Sequence, residues 1–290
     1  MSTSFKKIVI FGSFKTGTTG LFYKIANSLD GPARYLFEAQ EYKPEDGDCN
    51  QWVLAKIILW LNRQELLPKY ESFLNFDKAI YLTRDPRDWL VSATLFMIQQ
   101  EESLYRNDDG LNLIFRILQK KQRDPNSVSL VSIIRCINEL SDRHSFATTM
   151  DWMKCQYEWL LAFEKRIPEY IRLRYEDFVD ERIAELEAYL GFPLKAKAEV
   201  DIAHAHVPRT KGYGNWKDWF TPDDILYFRP LFKEYMKTYG YEDAWAINDY
   251  PNISHEHSIE YVLRTVNKRR SRPFTIDSSS SSPPASWSSR

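Results

Sequence analysis

Gly12-Ser13-Phe14-Lys15-Thr16-Gly17-Thr18-Thr19 is the stretch on which the fold turns. Ile8-Val9-Ile10-Phe11 runs directly into it, an unbroken β-branched and aromatic segment of the kind that forms a strand buried on both faces. Out of it runs Thr18 to Leu29, where Leu21, Phe22, Ile25, Ala26 and Leu29 fall at helical spacing. A glycine-bearing turn between a strand and a helix gathers backbone N–H groups and the positive end of the helix dipole around one point. That arrangement suits an anion.

Further out, the same alternation repeats. Arg34 to Phe37 and Trp52 to Ile58 read as short strands, and Lys78 to Thr83 as a clearer one followed by a helix from Pro86. Residues 100–165 read as almost wholly helical, with a polar break at Arg123-Asp124-Pro125-Asn126. Tyr170 to Arg174 returns to strand, and a helix is expected over about 178–190. Thr221-Pro222-Asp223-Asp224 opens a helix with a capping box and a proline at its first position, and Gly240 closes it after Tyr239. Repeated βα units predict an α/β fold with a central parallel sheet flanked by helices. Ser278 to Arg290, rich in Ser and Pro, lacks the apolar surface to offset chain entropy and is expected to be disordered.

Composition narrows the function classes. Over 290 residues, hydrophobic residues make up 43% and charged residues 27%, ordinary for a chain that buries a core, and the net charge is −1. No global field draws the chain to nucleic acid or to acidic membranes, so anion binding has to come from local clusters. Cys49, Cys136 and Cys155 are widely spaced and odd in number, which reads as reduced thiols. His204 with His206, and His255 with His257, lack partners at metal spacing, so no metal site is expected. No segment is long enough for a signal peptide core or a membrane span, and a cytoplasmic location is expected. Aromatic residues reach 15%, with nine Trp. They suit either a stacking pocket or a plain aromatic core.

Gly12 and Gly17 have the spacing of the loop Gly-x-x-x-x-Gly-Lys-Ser/Thr, but Thr18 stands where its lysine belongs. The lysine lies two residues before the second glycine, so Lys15 would reach over the loop to a group beyond the bound phosphate. The clearest downstream strand ends in Thr83-Arg84-Asp85 rather than in a lone metal-holding acid, which favours a cation-stabilised transfer over a metal-assisted one.

Phe14-Lys15-Thr16-Gly17-Thr18-Thr19 resembles the 5′-phosphosulfate loop of the PAPS-dependent sulfotransferases, usually Pro-Lys-Ser/Thr-Gly-Thr-Thr. Phe14 replaces the usual Pro, and Gly20 stands where Trp often follows. Arg84 and Ser92 have the eight-residue spacing of the family's pair for the 3′-phosphate. An Arg fork and a hydroxyl are suitable donors to a phosphate monoester. Arg87 and Asp88, between them, read as surface and capping residues. Arg209-Thr210-Lys211-Gly212-Tyr213-Gly214-Asn215-Trp216-Lys217 resembles the family's Arg-x-Gly-x-x-Gly-x-Trp-Lys loop over the same phosphate, with Gly212 one place late. Tyr175-Glu176-Asp177 matches the family's Tyr-Glu-Asp, whose tyrosine contacts the nucleotide.

The resemblance covers about residues 5–240 and implies the P-loop NTPase-like sulfotransferase fold over 5–245. Residues 100–165 would be its helical acceptor-site insertion, 246–277 a C-terminal extension and 278–290 the tail. It implies PAPS as sulfuryl donor, PAP as product and no required metal. The acceptor would be a hydroxyl or amine of a small molecule, lipid or glycan. Ser13, Phe14, Lys15, Thr16, Gly17, Thr18, Thr19, Arg84, Ser92, Tyr175, Arg209, Lys211 and Gly212 would bind the nucleotide. Lys15 would stabilise charge on the bridging oxygen. The family's histidine base is missing; Glu38, after Tyr35-Leu36-Phe37, is either the base or a carboxylate paired structurally with Lys15 or Lys56. Two other readings remain open: a nucleotide kinase or other phosphotransferase, and a non-catalytic nucleotide-binding protein.

Overall fold

β1 (Lys7–Gly12) lies at the middle of the sheet, and the phosphate-loop stretch leaves its carboxyl end into α1 (Thr18–Ala26). The computed structural model describes residues 6–46, 48, 51–60, 70–195 and 212–276. Arg209, Lys211, Cys49, the His204/His206 pair and the Ser/Pro-rich tail lie outside them. β2 (Ala33–Phe37), β3 (Trp52–Ile58), β4 (Lys78–Thr83) and β5 (Ile171–Arg174) complete the sheet among the described residues, in the order β2-β3-β1-β4-β5. Every pairing is parallel. The expected central parallel sheet flanked by helices is the fold observed.

The unbroken apolar run of β1 follows from its position. Ile8 and Ile10 face one side with Leu21, Phe22 and Ile25 of α1, while Val9 and Phe11 face the larger core. All four are fully buried, each contributing about 1.5–3 kcal/mol by burial. Because both faces are covered at the middle of the sheet, β1 shows no alternation of apolar and polar residues, whereas the edge strand β5, Ile171-Arg172-Leu173-Arg174, does.

α2 (Pro86–Met97) follows β4, with Asp85 capping it through the Arg87 N–H. The helical insertion is α3 (Glu102–Tyr105), α4 (Asp108–Arg123), α5 (Leu130–Glu139) and α6 (Phe146–Glu164). The expected break after Arg123 is present. A second occurs over 140–145, where Ser145 and Thr148 form a capping box that starts α6. The single helix expected over 178–190 is two, α7 (Tyr175–Val179) and α8 (Ala184–Leu190). Glu181 between them has φ 57, a left-handed conformation no helix propagates through, and its carboxylate meets buried Lys24 at 2.5 Å.

α9 (Trp216–Trp219) and α10 (Pro222–Tyr239) follow, the latter with the expected Thr221/Asp224 capping box and Gly240 as its left-handed end. α11 (Ile259–Asn267) packs on α2 and α4. Ile259, Tyr261, Val262 and Val266 belong to the larger core, and the Phe274 ring stacks on Phe115 at 5.4 Å. No helix among the described residues is long and apolar enough to cross a membrane.

Candidate active site

The turn after β1 is shaped by contacts that only small residues allow. A Cβ at Gly12 would lie 2.7 Å from Thr18 Cγ2 and 2.8 Å from Thr16 Oγ1. Gly17 has φ 93 and faces the Tyr175 ring, where a Cβ would come within 2.5 Å. Lys15 is itself left-handed, with φ 62, a conformation that costs a non-glycine residue about 1–2 kcal/mol. Thr16 Oγ1 donates to the Ser13 carbonyl at 2.6 Å and tightens the turn. The N-cap of α1 is Gly17, no side chain caps its first turn, and no acidic residue sits there. The first N–H groups of α1, at Thr18 and Thr19, are therefore left without a side-chain cap, an arrangement that suits an anion.

Three elements converge on this turn. Arg84, at the carboxyl end of β4, donates from Nη1 to the Lys15 carbonyl at 2.8 Å. Its guanidinium lies 4.4 Å from the centre of the Tyr175 ring, the same ring that excludes a side chain at Gly17. Arg84 is buried, and its Nε has no hydrogen-bond partner among the described residues. Glu176, next to Tyr175, accepts the Asp85 N–H at 2.9 Å and the Tyr241 hydroxyl at 3.1 Å. Burial raises the Glu176 carboxyl above its ordinary range, with the Asp85 N–H and Glu176's own N–H pulling the other way. The Tyr-Glu-Asp segment thus braces the turn that carries Arg84.

Helix α6 closes the back of the turn. Gln156 Nε2 donates to Ser13 Oγ at 2.9 Å. A cavity of about 10 Å³, on the scale of one water molecule, lies among Ser13, Thr16, Arg84, Trp89, Gln156 and Tyr157. Gln156 Oε1, the Tyr157 hydroxyl and Arg84 Nε, all buried and without a partner among the described residues, belong to residues that line it. Trp89 Nε1 donates to the Phe14 carbonyl at 2.8 Å. The Phe14 ring stacks on Trp60 at 4.9 Å and meets Trp89 edge-on at 5.2 Å. Phe14 is thus a buried anchor for the loop, a role the sequence did not suggest.

Arg87 and Asp88 are not surface residues. Arg87 is buried, paired with Asp85 at 2.6 Å, and sits 4.2 Å from the Trp216 ring centre. Asp88 is 1% exposed and makes no capping box on α2. Its two oxygens accept the N–H groups of Gly214 at 2.6 Å and Trp216 at 3.1 Å. Burial pushes the Asp88 carboxyl up to about 6, against Arg84 and the two N–H donors, with Asp85 adding to the rise. The residue after Gly212, Tyr213, bonds Asp180 at 2.6 Å. The segment from Gly212 to Trp216 is therefore tied to α7's end and to α2.

Ser92 lies two turns into α2, half-buried, and among the described residues no hydrogen bond joins it to Arg84 or to the phosphate loop. Glu38 follows β2, which β3 separates from β1; two strand spacings amount to roughly 10 Å. Its carboxylate, half-exposed, meets the Nζ of buried Lys56 at 2.5 Å. Of the two readings of Glu38, the pairing with Lys56 is present. Lys15 Nζ instead donates to the Tyr261 hydroxyl at 3.2 Å and lies 4.8 Å from the Phe96 ring centre. Among the described residues no cluster of three His, Cys, Asp or Glu could hold a metal ion.

No family model matches this chain. No curated protein matches it either. Among solved structures it is similar to mouse sulfotransferase SULT7A1 complexed with PAP, at 16% identity and a TM-score of 0.45, over 80% of this chain and 85% of that one. A likeness of that size carries no argument about function, which has to come from the residues themselves.

Proposed function

We propose that this protein is a PAPS-dependent sulfotransferase, moving the sulfuryl group to a hydroxyl or amine acceptor and releasing PAP. The observation that carries this reading is the convergence of Lys15, Arg84 and Tyr175 on the uncapped start of α1. Those residues come from three of the segments that resemble the family's nucleotide-binding motifs. PAPS would supply an activated sulfuryl group whose transfer needs positioning and charge stabilisation more than covalent help.

In this reading the α1 N–H groups, Thr18 and Thr19 hold the 5′-phosphate. Arg84 lies under the 3′-phosphate, with Ser92, Arg209, Lys211 and Gly212 as its further contacts. Lys15 stabilises the charge that grows on the bridging oxygen. Glu38 takes the acceptor proton, and its ion pair with Lys56 holds its carboxylate in one place. The helical region 100–165 contributes Gln156 behind the loop and the wall against which an acceptor is placed. The acceptor is a small molecule, lipid or glycan. The protein works in the cytoplasm and needs no metal.

Thermal unfolding with PAP, with 5′-AMP lacking the 3′-phosphate, and with ATP plus Mg²⁺ tests this directly. A ligand at a hundred times its Kd stabilises the native state by about 2.7 kcal/mol, a clear rise in Tm. A rise with PAP that 5′-AMP does not reproduce supports the reading. A Mg²⁺-dependent rise with ATP and none with PAP replaces it with a phosphotransferase.

A further inference from the structure

We propose that Tyr261 is a positioning residue for Lys15, and that helix α11 is a working part of the site. The inference rests on the sulfotransferase reading for what Lys15 does, and on geometry alone for what Tyr261 does. Lys15 is held at both ends. Its carbonyl accepts from Arg84 at 2.8 Å, and its Nζ donates to the Tyr261 hydroxyl at 3.2 Å. Between these points the ammonium lies 4.8 Å from the Phe96 ring centre and 5.4 Å from that of Tyr261. Two aromatic faces and one phenol oxygen therefore help to fix where the charge sits.

The support reaches back through α11. Tyr261 stands on its first turn, buried among Ile259, Val262 and Val266, whose side chains belong to the larger core. The start of the helix is fastened to α4 by Ser258 Oγ on Gln122 Oε1 at 3.3 Å. Thr265 Oγ1 donates back to the Tyr261 carbonyl at 2.9 Å. Burial raises the Tyr261 phenol above its ordinary range, against the pull of Arg264, so the hydroxyl keeps its proton at neutral pH. The neutral hydroxyl therefore offers its oxygen to the Lys15 ammonium as an acceptor.

A lysine on a four-carbon stem carries considerable rotamer freedom, which has to be lost before the ammonium can meet charge developing at one atom. Tyr261 removes that freedom beforehand. Tyr261→Phe keeps the ring and deletes only the oxygen, so its effect is confined to Lys15.

The test uses the full chain and [35S]PAPS, scoring release of sulfate with water as the acceptor. The S–O bond to the nucleotide breaks with its electron pair on the PAP phosphate oxygen, a water oxygen bonds to sulfur, and both water protons leave to solvent. In Tyr261→Phe we expect turnover to fall about tenfold to thirtyfold. The KM for PAPS, the Kd for PAP and the Tm should stay near wild type. In a Lys15→Met background the same change should do nothing further. Independently of any turnover, Lys15 should acetylate faster with acetic anhydride in Tyr261→Phe, read by mass spectrometry. Wild-type turnover in Tyr261→Phe overturns the proposal, as does an equal loss in the Lys15→Met background or an unchanged Lys15 labelling rate. Absence of PAP binding and of PAPS turnover in the wild type sinks the sulfotransferase reading instead, and the labelling rate then decides the role of Tyr261.

Discussion

Arg84 holds the Lys15 carbonyl at 2.8 Å, so the residue that resembles a 3′-phosphate ligand also fixes the backbone of the turn after β1. On the proposed function, one guanidinium would set the spacing between the two phosphate positions. Arg84→Ala should therefore act twice. Loss of a charged hydrogen bond costs about 1.5–3 kcal/mol, lowering Tm without PAP. PAP affinity, by calorimetry, should fall by about tenfold to a hundredfold. Arg84→Lys should recover part of the affinity and little of the Tm, because an ammonium has no planar fork to span both jobs.

Gly17→Ala is expected to destabilise through two separable causes. The methyl would meet the Tyr175 ring, and φ 93 is strained for any residue with a Cβ. Pairing it with Tyr175→Leu should relieve the first and leave the second, about 1–2 kcal/mol. Denaturant midpoints of the single and double variants measure both. Full recovery in the double variant would show that the backbone carries no strain.

Asp88 makes stability depend on pH in an unusual direction. Its folded pKa, pushed up to about 6 by burial, exceeds the unfolded value of 3.8. Between those values the folded state binds the extra proton, so this contribution is complete below about pH 4 and lost as pH rises through about 6. The difference is about 3 kcal/mol. Asp88→Asn should flatten that slope, measured by urea unfolding from pH 4 to pH 7. It should also loosen the Gly214–Trp216 segment, since the amide nitrogen cannot accept an N–H. A slope identical to wild type would assign the pH dependence to another group.

Glu38→Gln tests the base. If Glu38 takes the acceptor proton, kcat should fall by about a hundredfold or more. The Kd for PAP should hold, because β3 separates this residue from the phosphate loop. Lys56→Met is the companion. It removes the ion-pair partner while leaving the carboxylate, and should lower kcat less than Glu38→Gln does. Equal loss of PAP binding in Glu38→Gln would make the residue structural.

The sheet was legible because its signals are local. Ile8 to Phe11, Lys78 to Thr83 and the Thr221 capping box each declare themselves within a few residues, and each forms where expected. The meeting of Lys15, Arg84 and Tyr175 could be anticipated only through a resemblance, since nothing in their spacing says that three loops touch. Asp88 misled because a carboxylate three residues after Asp85 looks like a cap; its true donors, Gly214 and Trp216, lie far along the chain. Gln156 and Trp89 were hidden among helical residues whose spacing signals only packing. Tyr261 left a faint signal, an amphipathic turn with Ile259, Val262 and Val266. Which groove that turn fills is a tertiary fact.

The stacking of Phe274 on Phe115 has a consequence for how the molecule comes into being. The chain leaves the ribosome from its amino end, and the sheet and the helical insertion emerge long before residue 274. Until the segment from Ile259 to Phe274 arrives, the apolar surface it covers on α2 and α4 stays open to solvent and to other apolar surfaces, a window in which chaperones act. Lys15 likewise waits for its phenol. A nascent chain can thus carry every described strand of its sheet before the Tyr261 hydroxyl reaches Lys15 Nζ.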